Sequence, residues 1–393
     1  MTDPIVIAGI CRTPMGGFMG DLSTVAATEL GSIAIEGALK NASISADDVD
    51  EVLMGCVLPA GLGQAPARQA ALGAGLPKSV PCTTVNKVCG SGMKTVMMAH
   101  DAIAAGSSDI SVVGGMESMS RAPHMLPSGR TGTRLGHTMV YDHMMKDGLE
   151  DAYDAGRAMG TFAEETAQQY QFTREQQDAY AIESLRRANE AIENNYFEGE
   201  ITPVTAKTRK GDIVVERDEQ PGKASPEKIP SLRPAFAKDG TITAANASSI
   251  SDGAAAIVVT KQSEAEKRGL KPVAYIRGHA MNAAEPAMFT TAPVGAINKL
   301  LDKVGWSVGD VDLFEINEAF AMVAMISMQE LNIPHEKVNV NGGACALGHP
   351  IGASGARIIV TLINALQKRG LKKGVASLCI GGGEATAIAV ELV

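Results

Sequence analysis

The chain carries the trace of an internal repeat, and that repeat most narrows the folds open to it. Asp48-Val49-Asp50-Glu51-Val52 resembles Asp310-Val311-Asp312-Leu313-Phe314. Ser91-Gly92-Met93-Lys94 resembles Ser354-Gly355-Ala356-Arg357. Gly114-Gly115-Met116-Glu117 resembles Gly382-Gly383-Glu384, with Gly381 ahead of it. The pairs keep one order and lie 262, 263 and 267 positions apart, as expected of a duplicated unit. Each copy reads as a strand after the Asp-Val-Asp turn, then a second strand leading into a Gly/Ser turn. An amphipathic helix follows (93–105 and 356–367), then a third strand (110–113 and 375–380) closed by glycines. An apolar strand opens the chain at 5–10. Strands alternating with helices predict a mostly parallel α/β sheet.

Between the copies the texture changes. Residues 120–248 are polar and punctuated by Gly and Pro, with one strong helix at 173–194. Thr173 and Gln176 stand at capping-box spacing at its start. A segment of this length is no simple connection, and loops over a rigid scaffold carry binding or assembly. The division is therefore residues 1–119 with 249–269, an inserted loop domain at 120–248, and residues 270–393.

Composition excludes several classes. A chain of 393 residues exceeds a single core, and 42 glycines with 4% aromatics suit close-packed α/β layers. Net charge is -9 without a polybasic run, which argues against nucleic acid. Six cysteines form no CxxC pair, so neither a zinc site nor a disulfide framework is indicated, and reduced thiols suggest a cytoplasmic setting. No apolar stretch reaches membrane-spanning length, and the N-terminus has no basic leader before its first strand.

Four segments carry candidate chemistry. In Val85-Asn86-Lys87-Val88-Cys89-Gly90-Ser91-Gly92-Met93 a cysteine stands between a strand and a helix start. Backbone N–H groups and the helix dipole favour its thiolate, and Gly90 and Gly92 leave room for a substrate, as a nucleophile requires. Taken alone, the segment equally fits a small buried cysteine at a turn. His349 lies in a Gly-dense turn, Gly348-His349-Pro350, where imidazole can activate a thiol or donate to an oxyanion, or serve structure only. Cys379 ends a buried strand before Gly381-Gly382-Gly383. A thiol of pKa about 8–9 can act as acid or base, and glycine N–H groups can line an oxyanion hole. Asn317-Glu318-Ala319-Phe320 ends another strand, where an amide can hold a water or carbonyl; Gly55 has that place in the first copy. All four lie at strand ends, where α/β sheets place ligands.

In this order, and together with Gly114 to Ser120, these segments resemble the thiolase family over essentially the whole chain. The resemblance implies two similar mixed-sheet halves in a five-layer αβαβα body, with an inserted loop domain. It implies Cys89 as nucleophile, His349 as its base and Cys379 as the acid/base at the substrate α-carbon. An oxyanion site made by His349 and a water on Asn317 is implied, and a second made by the N–H groups of Cys89 and Gly381. In the insert and around it, the resemblance puts Met159 in the acyl pocket, narrowed by Phe289 and Phe320 beside Ala319. It puts Ala247 and Ser248 near the pantetheine and Phe236 near the adenine. Lys223 would replace an arginine near the phosphates of coenzyme A. Residues 125–141 resemble the tetramerisation loop, implying a homotetramer. Acetyl-CoA, acetoacetyl-CoA and CoA are the implied substrates, with no metal or redox cofactor.

Short-chain acetyl transfer leads. A 3-ketoacyl-CoA thiolase of broader or 2-methyl-branched range is the runner-up. A ketosynthase-type condensing enzyme would place a second His where Cys379 stands, and a non-catalytic acyl-CoA carrier would be expected to lose Cys89, His349 or Cys379. The chain departs from the family pattern at Ala158, at Gly222, at Cys345 and at Glu384-Ala385.

Overall fold

The computed structural model describes residues 3–393. The first copy runs β1 (Ile5–Arg12), α1 (Ala27–Ala42), β2 (Glu51–Gly55), α2 (Pro66–Gly73), β3 (Cys82–Val85), α3 (Ser91–Ala104) and β4 (Ile110–Ser118). The insert contributes α4 (Met159–Gln169), α5 (Arg174–Glu193) and two short hairpins. The chain then returns through β5 (Ser251–Lys261). The second copy runs β6 (Ala274–Ala283), α6 (Ala292–Val304), β7 (Leu313–Ile316), α7 (Ala321–Leu331), α8 (Ala344–Leu347), α9 (Ser354–Arg369), β8 (Lys373–Ile380) and β9 (Glu384–Leu392).

The strand order is β7-β8-β9-β6-β1-β5-β4-β2-β3. It reads outward in the same way from both sides of a central seam, where Val6 pairs with Tyr275 and Ile7 with Ala274. Both seam strands slip register two residues later, β1 between Ile7 and Gly9 and β6 between Ile276 and Gly278. The sheet is mixed, not mostly parallel. Only β2–β3, β2–β4 and β7–β8 run parallel. β9 turns back on β8 through the glycine turn, and β5 comes back beside β4 after the insert, so both enter antiparallel.

Burial follows from the layers. Every residue of β1 and β4 is buried, as in strands covered on both faces. One face of the first half-sheet packs Met54, Val112 and Val258 against Leu30, Ala34 and Ala70 of α1 and α2. The inner faces of both halves share one core around α3 and α9, with Ile257, Val113, Leu378 and Ile388 against Met93, Met97, Ile359 and Leu362. On the far face, Phe314, Val375 and Ala387 pack against Ile297, Leu300 and Ala324 of α6 and α7. The result is the expected αβαβα stack.

The repeated motifs have repeated jobs. Asp50 Oδ2 accepts the N–H groups of Asp109 and Ile110 at 3.0 and 2.9 Å; Asp312 Oδ2 accepts those of Lys372 and Lys373 at 2.9 and 2.8 Å. In both halves the aspartate ties the start of one strand to its neighbour. The Ser-Gly pairs let the central helices cross at close range. A Cβ on Gly92 would lie 2.7 Å from Ala356 N, and one on Gly355 would lie 2.3 Å from Met93 N. The third sequence match does not survive. Val112 pairs with Val52 and Val375 with Phe314, so the counterpart of Met116 is Cys379. Gly114 and Gly115 lie inside β4, whereas Gly382 and Gly383 form the β8–β9 turn. In the insert, α5 begins where its capping box predicts: Thr173 Oγ1 accepts Gln176 N–H, and Gln176 Oε1 accepts Thr173 N–H at 2.9 Å.

Candidate active site

The connection from β3 to α3 is a strained turn. Val88, a β-branched residue, has φ +46, where such side chains rarely sit. The turn is held by Ser91, whose Oγ accepts Lys87 N–H at 2.8 Å and donates to Val88 O at 2.6 Å. Asn86 Oδ1 accepts Val88 N–H at 2.9 Å. An ion pair between Lys87 and Glu384 ties the turn to the start of β9. Cys89 is thereby fixed at the mouth of α3, partly exposed. The Gly381 N–H and its own N–H reach its sulfur and draw its pKa down, as the sequence suggests, but burial outweighs them and pushes the thiol up to about 11. The N–H groups favour the thiolate, as expected, without making it the resting form. A base has to take its proton.

His349 lies between α8 and α9, its N–H shared by Ser249 O at 3.1 Å and Ser251 Oγ at 3.2 Å. Its Nδ1 meets Ser354 Oγ at 2.5 Å, and that hydroxyl donates to Pro350 O at 3.0 Å. The one hydroxyl proton is thus committed, so Nδ1 carries the imidazole hydrogen and Nε2 keeps its lone pair. Nε2 is buried without a protein partner. Burial, and then the Arg357 charge, push the imidazole down to about 3, leaving it neutral. Cys379, at the end of β8, is held well above its ordinary value by burial and by the neighbouring Cys89 sulfur.

Cys89, His349, Cys379 and Gly381 line one cavity of about 70 Å³, with Met159, Ser248, Phe289, Ala319 and Phe320 around them. Gly148, Leu149 and Ile351 complete the wall. These three escaped the sequence reading, since nothing in their type marks them. Ala247 lies just behind, bridged to Phe320. Asn317 also stands outside the wall. Its Oδ1 accepts from Arg357 Nη2 at 3.4 Å, and its buried Nδ2 has no protein partner.

Two buried carboxylates brace the loops. Glu117 accepts the N–H groups of Val57, Leu58 and Gly352 at 3.0, 3.2 and 2.9 Å, and burial raises it to about 7. Glu318 accepts from Tyr180, Ser184, Asn339 and Cys345 N–H.

Lys223 lies elsewhere. It borders a groove of about 300 Å³ with Gln220, Ser225, Lys228, Ser249 and Cys345, and it is ion-paired to Glu219. Ser248 faces the cavity and Ser249 the groove, so the two hollows flank one stretch of chain. Lys228, the groove's second cation, was not singled out in the sequence. Phe236 is not in this groove. It packs over Gly160 and edge-to-face on Phe320, 6.1 Å between centroids, at the edge of the apolar cluster behind the cavity, and it lines a separate hollow of about 620 Å³ with Thr161, Gln168 and Gly240.

Comparison with known proteins accords with this geometry. Residues 5–263 match the model for the thiolase N-terminal domain and residues 270–392 that for the thiolase C-terminal domain. The chain belongs to the thiolase family. It is 52% identical to acetyl-CoA acetyltransferase 1 of Arabidopsis thaliana, over 98% of this thiolase and 94% of that protein. Among solved structures, it superposes on an acetyl-CoA acetyltransferase of Bacillus anthracis with TM-score 0.97 at 42% identity, covering 100% of this chain and 99% of that one. It superposes on a thiolase of Ascaris suum in complex with coenzyme A with TM-score 0.93 at 42% identity, covering 99% and 100%. Against the family pattern, Cys345 in this thiolase is a half-buried thiol bordering the groove, and burial and Glu318 raise its pKa well above the ordinary value.

Proposed function

We propose that this thiolase is an acetyl-CoA C-acetyltransferase, condensing two acetyl-CoA to acetoacetyl-CoA and CoA, reversibly and by a ping-pong route. The observation that carries this is the convergence of two thiols and one neutral imidazole on a cavity of about 70 Å³, on the order of two water volumes. Such a space supports a short acyl group over the broader-range alternative, as do full-length relatives near half identity that bear the acetyltransferase name.

The proton account closes over two half-reactions. His349 Nε2 takes the Cys89 proton as the sulfur attacks the thioester carbonyl. The N–H groups of Cys89 and Gly381 hold the oxyanion. The departing CoA thiolate takes the proton of Cys379. The Cys379 thiolate, made strongly basic by burial, then removes a proton from the methyl carbon of a second acetyl-CoA. The enolate oxygen is held by His349, now protonated at Nε2, and by a water on Asn317 Nδ2. Its carbon attacks acetyl-Cys89, and the released sulfur recovers its proton from His349. Each oxyanion donor contributes about 3 kcal/mol. Only side chains, backbone N–H groups and CoA thioesters take part, so no metal or redox cofactor enters the chemistry.

The groove of Lys223 and Lys228 would take the nucleotide end of CoA, with Ser248 and Ala247 beside the pantetheine. Lys228 has no ion pair among the described residues, whereas Lys223 is neutralised by Glu219, which makes Lys228 the better phosphate partner. Assembly as a homotetramer is supported by Leu126, Leu135, Met139 and Val140, exposed on the 125–141 segment. A cytoplasmic setting is supported by six free thiols. The deciding experiment is mass spectrometry after brief exposure to acetyl-CoA. One acetyl adduct on Cys89, absent from Cys89→Ala, is expected. An unmodified Cys89 beside intact coenzyme A overturns the reading.

A further inference from the structure

We propose that His100, Asp101 and His279 form a divalent transition-metal site that clips the central helix of the first half to the seam strand of the second. The site lies outside the catalytic cavity and does not depend on the acetyltransferase reading. His100 and Asp101 belong to α3, His279 to β6. Asp101 Oδ1 stands 3.0 Å from His100 Nδ1 and 2.9 Å from His279 Nε2, and all three atoms lie within 4.8 Å of one another. The two rings meet edge to face, centroids 4.9 Å apart. Each imidazole nitrogen stands about 3 Å from the carboxylate oxygen, so an ion about 2.1 Å from all three would hold each nitrogen–oxygen pair near a right angle, narrower than the tetrahedral angle of zinc. Imidazole and carboxylate donors at right angles suit tetragonal nickel(II) or copper(II).

The residues are suited to the task in other ways. His279 is only 9% exposed and sits on a strand in a fixed position. Asp101 faces solvent, which leaves an entry path and positions for water ligands. The opposing charge is Lys303, whose Nζ donates to His279 O at 3.1 Å. On binding, the hydrogens that the two imidazoles direct at Asp101 move to their outer ring nitrogens. The freed lone pairs and the carboxylate then take the ion.

The cluster also breaks the internal repeat. Matching α3 to α9 and β1 to β6 sets Ile363 and Asn364 against His100 and Asp101, and Ile10 against His279. On that twin face the insert supplies the tie: Asn364 Nδ2 donates to Tyr196 O and to Glu200 Oε2, both at 2.7 Å. On the first face a His-Asp-His cluster stands where the second has Asn364 and two isoleucines. Sequence reading passed it by because its histidines are 179 positions apart.

The test is nickel chloride titrated into the full-length protein, followed by calorimetry and by elemental analysis after dialysis. Expected are one nickel per chain, binding at least tenfold weaker in His279→Gln and in Asp101→Asn, and a thermal midpoint that nickel raises in the parent alone. Thiolysis without added metal should be the same in all three proteins. Equal uptake by parent and variants places the metal on cysteines instead and overturns the site. No uptake by the parent at millimolar nickel leaves only a hydrogen-bonded triad and overturns it as well. Two variants at different ligands, each checked by circular dichroism, guard against one that fails to fold.

Discussion

The end of β2 and the end of β7 occupy the same place in the two halves, yet one is Gly55 and the other Asn317. A Cβ on Gly55 would lie 2.8 Å from both Gly352 O and Gly92 N, so the first half keeps that strand end empty for close packing. The second half puts an amide there, with its Nδ2 buried and free of protein partners. The same contrast recurs. Cys89 precedes α3, whereas its counterpart before α9 is Gly352, whose N–H donates to Glu117. His349 stands five residues before α9, whereas Asn86, five before α3, only caps the turn at Val88. Cys379 near the end of β8 stands where β4 has Met116. A duplicated scaffold thus brings equivalent strand and helix ends together from opposite sides, and at each equivalent pair one member packs while the other is left for chemistry. The first half offers the nucleophile; the second offers the base, the acid and the amide. Substitutions that make the halves alike should remove function in proportion to the proposed role.

The largest effect is expected for His349→Asn, which copies Asn86 into the second half. Both half-reactions use Nε2, so acetylation of Cys89 and thiolysis of acetoacetyl-CoA should each slow by about 10⁴-fold, at the upper end for a general base. The variant also tests the imidazole's burial. His349 is held down at about 3 when folded, below about 6.5 in an unfolded chain. The unfolded state therefore binds the proton first, and stability is lost as pH falls from about 6.5 toward 3. Asparagine does not titrate, so urea midpoints at pH 7 and pH 5 should differ less in the variant than in the parent. Equal losses would remove the argument.

Cys379→Ala comes next and separates the two thiols. Acetyl-Cys89 should still form, more slowly for want of the Cys379 proton on the departing CoA, because Cys89 and His349 remain, while carbon–carbon bond formation falls by about 10³-fold. Mass spectrometry should find the acetyl adduct accumulating. If the adduct is lost as well, the two sulfurs do not have separate tasks. Asn317→Gly, which copies Gly55, is expected to cost about 10²-fold in kcat with little change in KM, as for one oxyanion donor. A change confined to KM would assign Asn317 to binding instead.

How much of this was readable in the sequence depends on whether residue type or residue position carries the information. The halves were legible because Asp50 and Asp312 make the same paired hydrogen bonds, and Ser-Gly the same helix crossing, so packing demanded the same letters twice. Strand direction was not, because alternation of strands and helices is the same whether β5 and β9 enter parallel or antiparallel. The third glycine match misled because glycine serves both inside β4 and in the β8–β9 turn. At the site, reactive types in rigid motifs, Cys89, His349 and Cys379, could be named. Gly148, Leu149 and Ile351 could not, being ordinary residues placed by the insert and a loop. Phe236 and Lys223 were put near coenzyme A by resemblance, and an aromatic that joins an apolar cluster or a lysine that pairs with Glu219 reveals that only through its neighbours. How far burial offsets the N–H groups at Cys89 could not be read, because a helix start is visible in sequence and desolvation is not.

The smallest effect tests whether the halves are held in register by a bond of this chain's own. Lys87 lies in the nucleophile turn and Glu384 starts β9, so their ion pair joins the two strand ends that carry Cys89 and the Gly381 N–H. The side chains are 20% and 38% exposed, and pairs this wet contribute at most about 1 kcal/mol. Ser91 already fixes the Lys87 backbone, so the turn should survive the loss of the pair. Lys87→Met is therefore expected to slow Cys89 acetylation by no more than about fivefold, with thermal stability nearly unchanged. The effect should fade in the parent at about 1 M salt, where screening reaches about 3 Å. Exchanging the charges, Lys87→Glu with Glu384→Lys, should recover most of the rate if the pair aligns the two halves. A double exchange as slow as the single variant would mean that Lys87 acts on the substrate and not through Glu384.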